Sequence, residues 1–302
     1  MKVIGFDTSN YTTSIASFDG VNGVNCSRLL PVKPGELGLR QSDAVFSHIK
    51  SLPELSGRLF SDVGEIAAVG VSTRPRAVEG SYMPCFMVGY THAKLLSDAL
   101  GVPMFEVSHQ QGHVAACLWS AGRLDLMDKP HLAWHLSGGT TELLLVEPHG
   151  KNVKCTKIGG TTDISAGQLI DRTGVMLELP FPAGKHLDLL SKEAVNTDVF
   201  KVKCPGLEFS LSGVQNKVQQ YAVSNSPAET AAYALRCVCH AVKAATKNAQ
   251  AAYPGLEVVF SGGVASNAML RTVMQDAIFS EPAYSTDNAL GVAVLAHRLM
   301  ED

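Results

Sequence analysis

The pattern that most constrains this chain is a succession of elements that occurs twice. Val3 to Asp7 reads as a strand, Thr8-Ser9-Asn10 as a turn, Ser14 to Phe18 as a second strand and Asn25 to Leu30 as a third. His131 to Leu136, the turn Ser137-Gly138-Gly139-Thr140, Thr141 to Val146 and Val153 to Ile158 repeat that order. After the first run a helix fits Ser42 to Phe60, where Ala44, Val45, Ile49, Leu52 and Leu55 recur near helical spacing and Pro53 introduces a kink. A strand at Ile66 to Val71, a helix at Phe86 to Leu100 and a strand at Pro103 to Val107 follow. After the second run helices fill the chain to about Tyr253. Then come a strand at Glu257 to Phe260, a turn at Ser261-Gly262-Gly263, and helices at Ala265 to Ile278 and Asn288 to Met300. Strands and helices alternating twice in one order predict a duplicated α/β fold with a nucleotide cleft between its halves. The expected division is 1–125 and 126–302, with a helical insertion at about 163–252 in the second half.

Composition narrows the function. A chain of 302 residues can fill two cores. A net charge of −3 gives no overall pull toward nucleic acid, so an RNA partner would be held by local patches or by a second protein. The seven cysteines are scattered and form no CxxC pair, as expected of small thiols in a reducing cytoplasm. The opening residues run straight into a strand, so no signal peptide is expected, and the apolar stretches are too short or too polar to span a bilayer.

His109 and His113 carry the most chemistry. Four residues apart at a helix start, they put two imidazoles on one face, one turn apart, as two ligands of a divalent metal require. Two partly buried polar side chains would fit the same spacing. A metalloprotease motif fails at Gln110, which stands where the Glu general base belongs. In Ser285-Thr286-Asp287-Asn288, Asp287 is either the cap of the last helix or a third ligand, and two His with one carboxylate leave coordination positions open. His131 and His135 read as structural.

Several turns suit an anion. Asp7-Thr8-Ser9-Asn10 can offer backbone N–H groups to a phosphate with Asp7 near the metal, or form a plain hairpin turn. Leu136-Ser137-Gly138-Gly139-Thr140 lets backbone approach an anion, or forms a tight hairpin with Gly-Gly in a primed turn. Asp163 suits an N-cap, and Asp171 is placed for ribose hydroxyls or for solvent. Gly262-Gly263 passes a buried strand into a helix whose N-terminus faces whatever lies above the strand end. Asn267 there reads a nucleotide edge or satisfies local backbone.

In order and spacing these pieces resemble the TsaD family, the bacterial threonylcarbamoyl-adenosine synthases once labelled glycoproteases of peptidase family M22. The matching stretches are Gly5-Phe6-Asp7-Thr8-Ser9, His109-Gln110-Gln111-Gly112-His113, Ser137-Gly138-Gly139, Ala166-Gly167 with Asp171, Pro182 with Gly184, Phe209-Ser210-Leu211-Ser212-Gly213, Gly262-Gly263-Val264 with Asn267, and Thr286-Asp287-Asn288. The resemblance implies an actin-like, sugar-kinase-like (ASKHA) ATPase fold of two lobes. It implies one divalent metal, iron or zinc, on His109, His113 and Asp287, with Asp7, Ser9 and Asp287 itself as catalytic residues. It implies an adenylate-type nucleotide, threonylcarbamoyl-AMP or ATP, touching Leu136 to Thr140, Asp171, Gly184, Gly262, Gly263 and Asn267. The implied reaction moves a threonylcarbamoyl group from threonylcarbamoyl-adenylate to the tRNA adenosine beside the anticodon, in the cytoplasm. TsaB-like and TsaE-like partners are implied, and a homo- or heterodimer is allowed.

The chain departs from that pattern. Tyr11 and Thr12 replace an acidic pair, Thr140 a His or Asn, Gln168 a Glu and Ala183 a Gly. Thr73-Arg74-Pro75-Arg76 replaces a Gly-Pro-Gly-rich loop. These exchanges remove the acidic pair and a Glu and bring two arginines, while the metal ligands survive, as in a diverged paralogue. Rival functions are therefore a non-catalytic nucleotide-binding paralogue acting through a TsaB-like partner, and carbamoyl transfer or ATP hydrolysis on a small molecule. A peptidase is disfavoured for want of the Glu.

Overall fold

The computed structural model describes residues 1–9, 11–31, 39–61 and 63–301, so Asn10 of the first turn lies outside the described residues. The first half comprises β1 (Lys2–Ser9), β2 (Thr12–Phe18), β3 (Gly23–Leu29), α1 (Gln41–Phe60), β4 (Ile66–Arg74), α2 (Phe86–Leu100), β5 (Met104–Ser108) and α3 (His109–Ser120). Its sheet has the order β3-β2-β1-β4-β5. The three-strand meander is antiparallel, and β4 and β5 add in parallel. Helices cover this sheet, which explains why β1 and β2 are buried almost throughout instead of alternating.

The second half comprises β6 (His131–Leu136), β7 (Thr141–His149), β8 (Asn152–Thr161), α4 (Ala166–Met176), α5 (Gly184–Leu190), β9 (Glu208–Phe209), α6 (Ser212–Ala222), α7 (Pro227–Ala252), β10 (Val258–Ser261), α8 (Ala268–Val273), β11 (Ile278–Phe279) and α9 (Leu290–Met300). Its sheet runs β11-β10-β6-β7-β8-β9. Read from β8, the order β8-β7-β6-β10-β11 repeats β3-β2-β1-β4-β5 strand for strand, so the duplication expected from the sequence is a property of the topology. Trp134 anchors the second core. It is fully buried, its ring stacks 6.4 Å from Phe260, and its Nε1 donates to Thr246 Oγ1.

The chain forms two compact units. One comprises Met1–Lys129, Glu147–Cys155 and Asp287–Asp302, the other Pro130–Val146 and Thr156–Thr286. The last helix therefore groups with the first half of the chain, because α9 packs on β1, β4 and α3. Among the described residues no helix is long and apolar enough to cross a membrane. All seven cysteines are free thiols.

Four local expectations are corrected. The helix expected at Ala265 to Ile278 is broken: a 3-10 turn at Gly263–Ser266 precedes α8, and Ile278 belongs to β11. Asn267 causes the break, since its Oδ1 accepts from Leu270 N and starts α8 afresh. Asp163 does not cap α4. Ser165 does, in a capping box with Gln168, while Asp163 accepts from Leu211 N and Ser212 N and so caps α6 instead. Gly138 and Gly139 lack the positive φ that a primed turn needs. Asp287 does not cap the last helix, which begins at Leu290 with Asn288 Oδ1 accepting from Leu290 N.

Candidate metal centre

The first unit builds a cluster of donors where β1, α3 and the approach to α9 meet. β5 runs directly into α3, and Ser108 and Gln111 close a capping box at the junction. Gln111 Nε2 also donates to Val153 O at 2.7 Å, which pins the first turn. His109 and His113 are thereby held on the same face at the start of α3. Asp287 is brought to them by the packing of α9 on α3. A Cβ on Gly291 would stand 1.8 Å from Gly112 O, so only glycine permits this approach of the two helices.

The donors converge. His113 Nε2 lies 3.0 Å from His109 Nε2 and 3.1 Å from Asp287 Oδ1. His109 Nε2 lies 3.6 Å from Asp287 Oδ1. All three ligand atoms fall within 4.8 Å of one another. Behind them His109 Nδ1 donates to Asp7 Oδ2 at 2.8 Å, and Asp7 Oδ1 accepts from Ser9 N. Ser9 Oγ donates to Asp287 Oδ2 at 3.4 Å. Asp7 is therefore not among the converging donors. It fixes the tautomer of His109, as carboxylates behind metal-bound histidines do.

The charges agree with this arrangement. Burial alone would push the Asp7 carboxyl up, but the His109 ring beside it outweighs burial and holds it below its ordinary value. Burial likewise opposes charge on His109, and the Asp7 and Asp287 carboxylates overcome it, raising the ring to about 10. Asp287 is held well below the carboxylate range by both imidazoles, against burial. Two ring nitrogens facing each other at 3.0 Å cannot both present lone pairs unless a proton or a cation lies between them. An N₂O donor set with one oriented imidazole fits a divalent transition metal.

The second unit gathers the turns expected to meet a nucleotide. Ser137 Oγ accepts from Thr140 N, and Gly138 O accepts from Ser165 Oγ at 2.6 Å. A Cβ on Gly167 would stand 2.4 Å from Gly138 Cα, so the start of α4 sits directly on the turn. Gly262, at φ +92°, lies against Leu136 O, where a Cβ would come within 2.1 Å. Gly263 follows it into the 3-10 turn. Asp171 Oδ1 accepts from Ala183 N at 2.9 Å, and burial raises its carboxyl above the usual value. Gly184 opens α5 with free space where a Cβ would be.

Asn267 is committed at both ends of its amide, accepting from Leu270 N and donating to Asp188 Oδ1 at 2.6 Å. Of the two roles open to it, the local one is occupied. Asp188 was not singled out from the sequence and carries no local signal there. Ser108 and Gln111 did carry one, the Ser-x-x-Gln capping signature.

Comparison with known proteins identifies the family. The family model TsaD, described as tRNA N6-adenosine threonylcarbamoyltransferase, matches residues 42–294. A relative of that name from Halalkalibacterium halodurans is 30% identical over 253 residues, 78% of this chain and 70% of the relative. One from Pelobacter propionicus is 28% identical over all of this chain and 93% of its own length. Among solved structures, full-length HypF in its phosphate- and nucleotide-bound form superposes with a TM-score of 0.63 at 14% identity, over all of this chain and 47% of that one. The ROK hexokinase from Thermus thermophilus does so with a TM-score of 0.51 at 15% identity, over the whole of both chains. At such identities the structures establish the fold alone, that of the sugar-kinase-like and actin-like ATPases. The chain belongs to the TsaD family.

Proposed function

We propose that this chain transfers a threonylcarbamoyl group from threonylcarbamoyl-adenylate to the amine of the tRNA adenosine beside the anticodon. The convergence of His109, His113 and Asp287, braced by Asp7, is the observation that carries this reading. These three residues would hold one divalent iron or zinc ion, which supplies Lewis-acid polarisation of the carbamoyl carbonyl when bound. Asp7 keeps His109 Nε2 turned toward Asp287, and Ser9 restrains the far oxygen of that carboxylate. In the transfer the adenine N6 forms a bond to the carbamoyl carbon, the bond to the adenylate phosphate breaks, AMP leaves, and the amine proton passes to base.

Leu136, Ser137, Gly138, Gly139, Thr140, Asp171, Gly184, Gly262 and Gly263 would receive the adenylate, with Asn267 shaping the turn beside them. The two actin-like lobes would follow the two compact units, so the returning segment Asp287–Asp302 would belong to the first lobe rather than to the second as the division 1–125 and 126–302 has it, with 163–252 inserted in the second. The reaction would take place in the cytoplasm with TsaB-like and TsaE-like partners.

One observation favours a second reading, a non-catalytic nucleotide-binding paralogue. Tyr11 is exposed and Thr12 is buried in β2, so that turn offers no carboxylate, and Asp7 is already committed to His109. One experiment decides between the two. The purified protein is incubated with threonylcarbamoyl-adenylate and unmodified tRNA, with and without the partner proteins, and the nucleosides are analysed by mass spectrometry. Threonylcarbamoyladenosine is expected in at least one combination, and its absence from all of them removes the transferase reading.

A further inference from the structure

The loop after β4 stands where the family's Gly-Pro-Gly-rich loop is replaced, and the structure pins it to the metal centre at both ends. Arg74 pairs with Ser108 in the sheet, after a register shift at Thr73 that re-aims the strand end. Gln110 N donates to Pro75 O at 3.0 Å, so the loop leaves β4 across the first turn of α3. At its far end the Phe86 ring stands edge-on to His109, 6.1 Å away. In between the loop is braced: Arg76 N donates to Ser81 Oγ, Ser81 N donates to Val78 O, and Cys85 N donates to Gln41 Oε1.

On this frame Arg74 and Arg76 are exposed, and Tyr82 is 64% exposed. Arg40, exposed at the start of α1, lies one residue from Gln41, which holds the loop's end. Glu79 is the only acid between residues 74 and 85. The chain as a whole carries a charge of −3, so any polyanion must be met by a local cluster of this kind. Arginines with an exposed aromatic ring, on a braced backbone, are the chemistry that grips single-stranded RNA: guanidinium groups for phosphates and a ring face for an unstacked base.

We infer that the 74–85 loop is an RNA clamp, in which Arg74 and Arg76 take backbone phosphates of the acceptor and Tyr82 stacks one of its unpaired bases. This rests on the transferase reading above for the identity of the RNA, a tRNA anticodon loop.

The test uses the whole protein and a labelled, unmodified anticodon stem-loop RNA, with binding followed by fluorescence anisotropy between about 50 and about 200 mM salt. Arg74→Ala with Arg76→Ala should weaken binding at least about tenfold and lower the log–log salt slope by about 1.4, the value for two single-strand phosphates. Arg74→Lys with Arg76→Lys should restore that slope, because the charge is kept. Tyr82→Ala should cost about fivefold or more in affinity and leave the slope unchanged. Metal content and thermal midpoint should not move in any of these variants.

Unchanged RNA affinity and slope in the double Ala variant overturns the clamp. So does a variant that keeps RNA but loses a free adenylate, which would assign the arginines to the small substrate's phosphate. Wild-type protein that forms threonylcarbamoyladenosine with no effect of the Arg or Tyr changes overturns the clamp and leaves the transferase reading standing. Loop-dependent RNA binding without any transfer does the reverse.

Discussion

His109 sets the chemistry of the donor cluster through the carboxylates around it. In the metal-free protein its ring is raised from 6.5 to about 10, against burial, by Asp7 and Asp287. A group with a raised pKa contributes stability that is complete below its unfolded value and lost as pH climbs to its folded value. Metal-free protein should therefore lose stability between pH 6.5 and about 10, at most about 1.4 kcal/mol per pH unit for one proton. Urea midpoints measured in chelator at pH 6, 8 and 10 check this. Asp7→Asn removes the largest attraction that raises the ring, so it should flatten the slope. In the metal-loaded protein it should weaken metal binding about 10- to 100-fold, the usual cost of losing the partner behind a ligating imidazole. A slope unchanged by Asp7→Asn would show that Asp7 does not hold the proton on His109. The facing of the two imidazoles is legible in their four-residue spacing, because helix geometry is local. Asp287 lies 174 residues from His113, and the position of Asp7 behind His109 depends on a 2.8 Å contact across 102 residues. No local pattern encodes either.

Between elements, the contact of α3 with α9 decides whether the cluster exists. Gly291→Ala should gain about 1 kcal/mol of helix propensity in isolation. In the fold, however, its Cβ would sit 1.8 Å from Gly112 O and 2.7 Å from Ala116 N, both backbone atoms that no rotamer can move. Overpacking of this kind costs about 1–3 kcal/mol, occasionally more, so the clash should win. The variant is expected to unfold at lower denaturant and to bind metal more weakly, since Asp287 precedes α9 by three residues. A variant more stable than the parent would mean that propensity outweighs the packing and that the helices are free to separate. The same scale explains what the sequence conceals. β1 and β7 show as apolar runs at Val3–Phe6 and Leu143–Val146 beside turn residues. β11 has two residues and no periodicity of its own, and it is a strand only because β10 pairs with it. Asp163 has the chemistry of a cap, but the helix it caps begins 49 residues later.

At the scale of the whole chain, all the converging donors belong to one compact unit. His109 and His113 come from Met1–Lys129 and Asp287 from the returning segment Asp287–Asp302. A metal that binds only the folded unit stabilises it by mass action, about 2.7 kcal/mol at a free concentration one hundred times Kd. Amides that exchange only when that unit opens should then slow by about 100-fold, the same factor expressed as a rate. Hydrogen–deuterium exchange with and without zinc should show this slowing in β1, β5, α3 and α9, and residues 156–286 serve as the internal reference. His109→Ala with His113→Ala should abolish it. The segment that decides the matter is α9. Next to Asp287, yet separated from α3 by 169 residues of chain at its start, it gains protection only if the ion ties the two distant segments together. Slowing confined to α3, with α9 unchanged, would mean that the histidines bind metal without Asp287 and that the cluster is not a three-donor site.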